Sequence, residues 1–445
     1  MASAVEQLAG NLNLGAFSKA TELKQRIWFT LLALMVYRLA TYIPLPGIDP
    51  VALEQMFTQN QGGILGMLDL FNGGAIQRMS LIALGIMPYI SSSIIMQLMT
   101  SISTSMKELK KEGEAGRRKI NQYTRYGTVL LCIVQAYAIA TGLETNIAIE
   151  PGMFFRLTTV ITLVGGTMFL VWLGEQITAR GVGNGISLII FAGIVAQLPI
   201  AIANTLDMSA RGTLGGPLVI VALLVMVIAV IAVIVFFERA QRRVLIQYPK
   251  RQQANGMSQG EQSHMPLKLN TAGVIPPIFA SSLLLMPMSL AGFASADSPE
   301  WVTTLTSLLG HGQPLYMALY VVGIIFFCFF YTALVFNPDE TADNLKKYGG
   351  FIPGIRPGKN TSTYLDYVLT RLTVIGAIYL CAVCLLPEIL RANYAIPFYF
   401  GGTSLLIVVN VTMDTVGQIH SHLMTHQYEG LMKKSKLRGG KRRRR

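Results

Sequence analysis

Serine and histidine are the residues of this chain whose types could support catalysis inside an apolar segment. Ser187 and Ser404 each lie two residues after a glycine in an apolar run, a setting that would suit an intramembrane serine nucleophile. Such a nucleophile needs a neighbouring base, and all five histidines fall outside the apolar segments. The sequence also has no phosphate-binding Gly-x-x-x-x-Gly-Lys-Ser/Thr motif, which argues against use of ATP. We therefore predict that the chain is not an enzyme.

Two pairs of residues have the spacing of metal or redox sites. His422 and His426 are four residues apart and could hold a metal ion, but their basic tail is more typical of a solvated helix. Cys381 and Cys384 form a Cys-x-x-Cys pair inside an apolar run, where small cysteines usually serve as packing residues. We expect neither a metal nor a cofactor.

The overall composition is that of a membrane protein. Only 13% of the 445 residues are charged and the mean hydropathy is +0.49, whereas a soluble domain has about 25% charged residues. Residues 1–20 lack the apolar core of a signal peptide, so we expect the first span to act as an uncleaved signal. The net charge of +13 makes anionic lipid a plausible partner.

Ten apolar segments are long enough, at about 20 residues, to cross a bilayer as helices. They cover about 27–43, 79–99, 126–142, 155–173, 186–205, 217–237, 271–293, 315–336, 372–389 and 397–417. Of the 36 Lys and Arg residues, 31 lie on one side of these spans and 4 on the other, with Arg38 inside the first span. This asymmetry predicts that both termini are cytoplasmic.

Two pairs of similar motifs organise the chain. Residues 84–93 have a counterpart at 273–278, and residues 184–190 have one at 401–407. The glycines and prolines in them weaken a membrane helix, which is tolerated only where other groups or water satisfy the freed backbone. Repeats of broken helices predict a site between two related halves, at residues 1–206 and 207–445.

The aligned motifs carry isoleucines at equivalent positions, with Ile90 opposite Ile278 and Ile190 opposite Ile407. Any one of them alone is explained by ordinary helix packing, but the repetition favours a hydrophobic constriction. The alternative is a secondary transporter of a small solute. Transporters usually keep ionisable groups at mid-membrane, and here glycine, serine and Gln97 accompany the isoleucines. A lining without charge suits a passage that excludes water.

A short apolar segment precedes the second span and ends at a Gly-Gly pair. It is too short to cross the membrane, so we predict a half-inserted helix on the external side. Its residues are Ile64, Leu65, Gly66, Met67, Leu68, Asp69, Leu70, Phe71 and Asn72.

Several longer motifs resemble those of the SecY family, the channel subunits of the bacterial Sec protein translocase. The matching segments are 42–48, 85–93, 111–114, 174–178, 183–185, 341–347 and 353–358. The resemblance runs from the first span to about residue 430. It implies an all-α polytopic membrane protein with ten transmembrane helices, in two inverted-repeat halves of five around an hourglass pore.

The resemblance also assigns roles to individual residues. It makes the short apolar segment 64–72 a plug, and it places Ser91, Gln97 and Met286 at a lateral gate formed by the second, third, seventh and eighth spans. It assigns the cytoplasmic docking of a motor or ribosome to Arg356, Lys250 and Arg251, which lie in the loops 337–371 and 238–268. The basic tail covers residues 418–445. The pore ring it implies consists of Ile86, Ile90, Ile186, Ile190, Ile278 and Ile407.

The function implied is passage of unfolded preproteins across the bacterial inner membrane, with release of transmembrane segments sideways into lipid. The resemblance implies the small membrane subunits SecE and SecG, the motor ATPase SecA, the ribosome and preprotein signal sequences as partners. SecDF and YidC are further candidate partners.

Overall fold

The computed structural model describes most of the chain. The described residues are 21–59, 72–144, 147–211, 217–248, 252–253, 256–257, 262–292, 308, 313–393 and 402–441.

Helices make up most of the described residues. In the first half they are α1 Thr21–Ala40, α2 Pro50–Gln59, α3 Met87–Ile102, α4 Thr104–Lys111, α5 Glu114–Glu144, α6 Met153–Arg180 and α7 Gly185–Ala210. In the second half they are α8 Pro217–Arg239, α9 Ile275–Gly292, α10 Pro314–Val335, α11 Pro338–Lys347, α12 Lys359–Asn393 and α13 Gly402–Lys441. Each of the ten predicted spans overlaps one of these helices.

Among the described residues, six helical stretches are long and apolar enough to cross a membrane. They are α5, α6, α7, residues 220–239 of α8, residues 314–347 and residues 359–389. Much of their apolar surface faces outward, as at Leu224 and Ile228 of α8, which is the surface that lipid would cover. The chain is therefore a multi-pass membrane protein, and the count of ten spans stays a prediction.

The second predicted span begins later than its apolar run suggested. Residues 79–86 form turns, because Met79 and Leu81 are hydrogen-bonded to the chain at 43–45 and Gly85 takes a left-handed φ of 57°. Helix α3 therefore starts at Met87. Its 16 residues span roughly 24 Å.

The first of the two large loops, which the sequence predicts to be cytoplasmic, contains a β-hairpin that the sequence reading did not predict. Strands β1 Gln241–Gln247 and β4 Gln262–Lys268 are antiparallel, with Gln241 opposite Lys268. A short antiparallel pair, β2 Gln252–Gln253 and β3 Gly256–Met257, lies within the connection. Val244 and Ile246 alternate as buried residues on β1, the period-two signal of a half-buried strand.

The hairpin packs on the N-terminal part of α12. We call this assembly the cytoplasmic unit, after the side of the membrane that the sequence predicts for it. Its apolar centre consists of Val244, Leu267, Ile352, Leu365, Val368, Leu369 and Leu372. Gln247 and Phe351 also exchange backbone hydrogen bonds of 2.9 and 3.0 Å. The two large loops, 238–268 and 337–371, thus fold against each other.

Candidate pore site

Five of the six predicted ring isoleucines line one narrow cavity of about 20 Å³. They come from both halves of the chain: Ile86 and Ile90 at the start of α3, Ile190 of α7, Ile278 of α9 and Ile407 of α13. The other lining residues are Tyr37, Asn72, Ile82, Gly85, Met87, Leu170, Ile189 and Ser281. No charged side chain is among these lining residues, so the cavity wall is an apolar surface with a few neutral polar groups.

The four helices that carry these isoleucines begin in matching ways. Gly85 and Gly273 have left-handed φ values of 57° and 63°, and α3 and α9 each start two residues later. Gly185 and Gly402 are themselves the first residues of α7 and α13.

In each of the four cases an isoleucine follows the glycine by five residues, at Ile90, Ile278, Ile190 and Ile407. Because a helix rises about 1.5 Å per residue, the isoleucines lie roughly 4.5 Å beyond the starts of α3 and α9 and roughly 7.5 Å beyond those of α7 and α13, so each pair is at one depth. The repeated register explains how side chains far apart in sequence meet at one cavity.

Ile186 is the ring residue that the structure does not bring to this cavity. It is half-buried, and its Cγ1 lies 3.1 Å from the position that a Cβ on Gly174 would occupy. Ile186 therefore packs on α6, and its assignment to the ring stays a prediction.

Several lining residues were missed by sequence reasoning. Ser281 follows Ile278 by three residues and so shares its helix face, which is a signal that could have identified it. Tyr37 and Leu170 had no comparable signal, because their helices α1 and α6 contain no copy of the repeated motif.

Of the predicted plug, residues 64–71 lie outside the described part of the chain, and Asn72 is described. The buried Asn72 side chain donates a hydrogen bond from Nδ2 to the Ala83 carbonyl at 2.8 Å. The Tyr37 hydroxyl donates to the Asn72 carbonyl at 3.4 Å. The end of the plug segment is thus anchored in the wall of the cavity.

Two arginine side chains lie over Tyr42, in the segment that follows α1. The guanidinium carbons of Arg78 and Arg38 lie 4.1 and 5.6 Å from the centre of the Tyr42 ring. The edge of the site near Asn72 therefore has a positive potential, whereas the cavity wall has no charge.

The predicted gate residues lie on helices that face each other across the two halves. Helix α9 packs against α3 and α5, and Ser282 Oγ lies 3.7 Å from Met87 Sδ. Ser91 is buried on α3, and the buried Oε1 of Gln97 has no hydrogen-bond partner among the described residues. Met286 lies on α9, and its side chain is outside the described part.

Of the three predicted docking residues, the structure describes Arg356, which lies between α11 and α12. Arg356 is exposed and follows a turn in which Gly354 has a φ of 83°; its carbonyl accepts a hydrogen bond from Thr361 Oγ1 at 3.0 Å. Lys250 and Arg251 lie outside the described residues, between β1 and β2.

Comparison with known proteins gives a consistent result. The SecY family model matches residues 80–416. Protein translocase subunit SecY of Rickettsia conorii is 57% identical over 430 residues, which cover 95% of this chain and 99% of the relative.

Solved structures share the fold at lower identity. A SecY channel, solved in work on how its plug domain stabilises the closed state, has a TM-score of 0.65 and 18% identity over 91% of this chain and 93% of its own. Sec61 in the canine ribosome-channel complex has a TM-score of 0.60 and 17% identity over the same shares of the two chains.

Proposed function

The chain belongs to the SecY family, and from that premise we propose that it is the central channel subunit of a protein translocase. Unfolded preproteins cross the membrane through it, and sufficiently apolar segments leave it sideways into lipid. The observation that carries this proposal is the convergence of Ile86, Ile90, Ile190, Ile278 and Ile407 on one uncharged cavity.

A ring of aliphatic side chains can seal a channel and still open for a polypeptide. An ion that enters the ring must leave its hydration shell without gaining polar partners, which is costly. A passing chain displaces the side chains instead and contacts them. Residues 64–72, as the plug, add a second obstruction next to the ring.

The lateral gate separates substrates by hydrophobicity. Transfer of apolar surface from water to lipid is favourable by about 25 cal/mol per Å², so an apolar segment between α3 and α9 gains free energy by leaving sideways. Ser91, Gln97 and Met286 line this route in our proposal.

Directional movement must come from partners, because nothing in the sequence provides for ATP use. We assign the docking of the motor SecA or the ribosome to the cytoplasmic unit, with Arg356, Lys250 and Arg251. The Sec61 relative was solved in a ribosome-channel complex, which supports the second of these. SecE and SecG complete the channel, SecDF and YidC assist it, and anionic lipid contacts the basic tail.

The proposed topology has two inverted halves, residues 1–206 and 207–445, and both termini in the cytoplasm of a bacterial cell. The matching starts of α3 with α9 and of α7 with α13 support the repeat. The asymmetry of Lys and Arg supports the orientation.

The test is reconstitution of the chain with SecE and SecG in liposomes, with SecA and ATP added outside. A signal-bearing precursor should become protected from added protease. The variants Ile90→Gly and Ile278→Gly should raise the resting ion flux several-fold, because they open a hydrated gap in the ring. The matched controls Ile90→Leu and Ile278→Leu should stay near the parent protein.

Two results would contradict the proposal. A precursor that stays protease-sensitive under all conditions would contradict the proposed function. Glycine variants with the same resting ion flux as the parent would contradict the assignment of the ring. Saturable, gradient-driven uptake of a small solute by the chain alone would favour the rival function, a secondary transporter.

A further inference from the structure

A cluster of hydrogen bonds at the end of α8 contacts both ring helices of the second half. The Glu238 carboxylate accepts a hydrogen bond from Asn270 Nδ2 at 2.6 Å. The Asn410 side chain lies close enough to interact with it, and its Nδ2 is 3.9 Å from the position that a Cβ on Gly273 would occupy. Asn270 in turn brackets Gly273: its Nδ2 donates to the Gly273 carbonyl at 3.0 Å, and its Oδ1 accepts from the Gly273 N–H at 3.1 Å. We call Glu238, Asn270, Gly273 and Asn410 the C-terminal node.

The C-terminal node is placed to fix two ring side chains. Gly273 is the left-handed residue two positions before α9 and five before Ile278. Asn410 follows Ile407 by three residues on α13, which puts it about one helical turn away on the same face. A single carboxylate therefore connects the starts or flanks of both ring helices.

The first half contains a comparable cluster at the end of α1. Arg38 donates a hydrogen bond from Nη1 to the Gly73 carbonyl at 2.9 Å, and Asn72 is held by the Tyr37 hydroxyl. Asn72 Oδ1 would lie 1.9 Å from a Cβ on Gly85, so the amide closes over that glycine. We call Arg38, Asn72, Gly73 and Gly85 the N-terminal node.

The N-terminal node also reaches the second ring helix of its half. A Cβ on Gly73 would lie 2.9 Å from Gly193 Cα. Gly193 follows Ile190 on α7 by three residues, as Asn410 follows Ile407 on α13.

The two nodes have matching parts, although their asparagines lie at different positions in the repeat: Asn72 is 13 residues before Gly85, and Asn270 is three residues before Gly273. Each begins at the last turn of the helix that opens its half, α1 or α8. In each node an asparagine contacts the left-handed glycine that precedes a ring helix. Each node also includes or contacts the residue three positions after the isoleucine of the other ring helix, which is Gly193 or Asn410. The charged members differ, since Arg38 is a cation and Glu238 an anion.

We propose that Asn72 and Arg38 in one half, and Asn270 and Glu238 in the other, are positioning residues for the pore ring. They hold the glycine turns that set where each ring helix starts, and thereby the depth and rotation of Ile90, Ile190, Ile278 and Ile407. The inference rests on the proposed channel function and extends it. Satisfied polar networks in an apolar surrounding are rigid, which suits a ring that must close tightly without charge.

The test uses the purified complex of the chain with SecE and SecG. The variants are Asn72→Ala, Asn270→Ala and Glu238→Ala, with Glu238→Gln as the conservative one. Thr128→Val is the matched control, because Thr128 is fully buried on α5 and makes one 2.7 Å hydrogen bond to the Thr124 carbonyl, away from both nodes. Amide hydrogen exchange is followed in residues 81–90 and 271–280, and resting ion flux is measured in liposomes.

Loss of one buried hydrogen bond should speed exchange about two- to tenfold at the ring helix of the altered half, and leave the other half as in the parent. Resting ion flux should rise in the same variants. Glu238→Gln should stay near the parent in both measurements, because its amide oxygen still accepts from Asn270. The milder Asn72→Ser and Asn270→Ser, which keep a shorter polar side chain, should show the same pattern to a smaller extent.

Unchanged exchange and flux in the alanine variants would overturn the proposal. An equal effect in Thr128→Val, or in Glu238→Gln, would overturn it as well, because the effect would then be general destabilisation or loss of charge alone. The exchange measurement does not depend on translocation. A parent complex that fails to protect precursors would refute the proposed function, and the nodes would still be tested.

Discussion

Gly85 and Gly273 hold the same place in the two repeats, and their backbone torsions are alike, yet their surroundings differ. A Cβ on Gly85 would meet Asn72 Oδ1 at 1.9 Å, whereas one on Gly273 would meet only Asn410 Nδ2 at 3.9 Å. At both positions an added side chain would be strained, because the backbone is left-handed. Only Gly85 adds a steric conflict.

We therefore expect Gly85→Ala to lower the thermal stability of the purified complex more than Gly273→Ala does. Left-handed backbone should cost each alanine about 1–2 kcal/mol, and the displaced Asn72 adds to the cost at Gly85. The pair Gly85→Ala with Asn72→Ala should lose less than the sum of the two single changes, because the conflict then disappears. Equal losses at the two glycines, or strictly additive ones, would contradict this account.

Residue patterns were sufficient to identify most of the isoleucines that meet at the cavity. The isoleucines five residues after a glycine could be aligned without a structure, since both the motif and the helical period are local. Tyr37 and Asn72 were not foreseen as partners, because their hydrogen bond joins residues 35 positions apart. The departure of Ile186 from the cavity has the same origin: its packing on Gly174 depends on how α6 and α7 meet.

The start of a helix, like the packing of a single residue, could not be predicted from local sequence alone. An apolar run from Met79 predicts a helix, but backbone hydrogen bonds to residues 43–45 compete for residues 79–81 and delay α3 to Met87. The hairpin of β1 and β4 was also missed, because the buried alternation on β1 is limited to Val244 and Ile246, which is too short to indicate a strand. Tertiary contacts decide both cases.

A change inside the cytoplasmic unit should affect the docking of a partner without affecting the seal of the pore. Leu365 is fully buried between α12 and the hairpin, so Leu365→Ala should destabilise the unit by about 2–5 kcal/mol. We expect faster proteolysis in the loop 238–268 and weaker SecA-driven translocation, with the resting ion flux unchanged. Asp366→Ala, at the exposed neighbouring position of the same helix, is the control and should behave as the parent. A rise in ion flux with Leu365→Ala would show that the unit also holds the ring.

For the whole molecule, the family and the membrane architecture followed from motifs, hydropathy and charge, because these are properties of long stretches. The orientation can be tested with single cysteines in a chain whose four native cysteines are replaced. Val51 and Tyr348 are 63% and 71% exposed and lie on opposite sides in the proposed topology. A membrane-impermeant maleimide applied to spheroplasts should label Val51→Cys and leave Tyr348→Cys unlabelled.

Permeabilised cells are the control, because both cysteines should then react. The reverse labelling in intact spheroplasts would place the termini outside the cell and would contradict the charge-based orientation.

Helix α12 has a mechanical consequence. Its 35 residues measure roughly 52 Å, against about 30 Å for the hydrocarbon core of a bilayer. The overhang of roughly 22 Å carries the α12 side chains on which the β1–β4 hairpin packs. A partner that binds this overhang is therefore positioned to tilt the membrane-embedded part of the same helix, and with it the second half of the molecule.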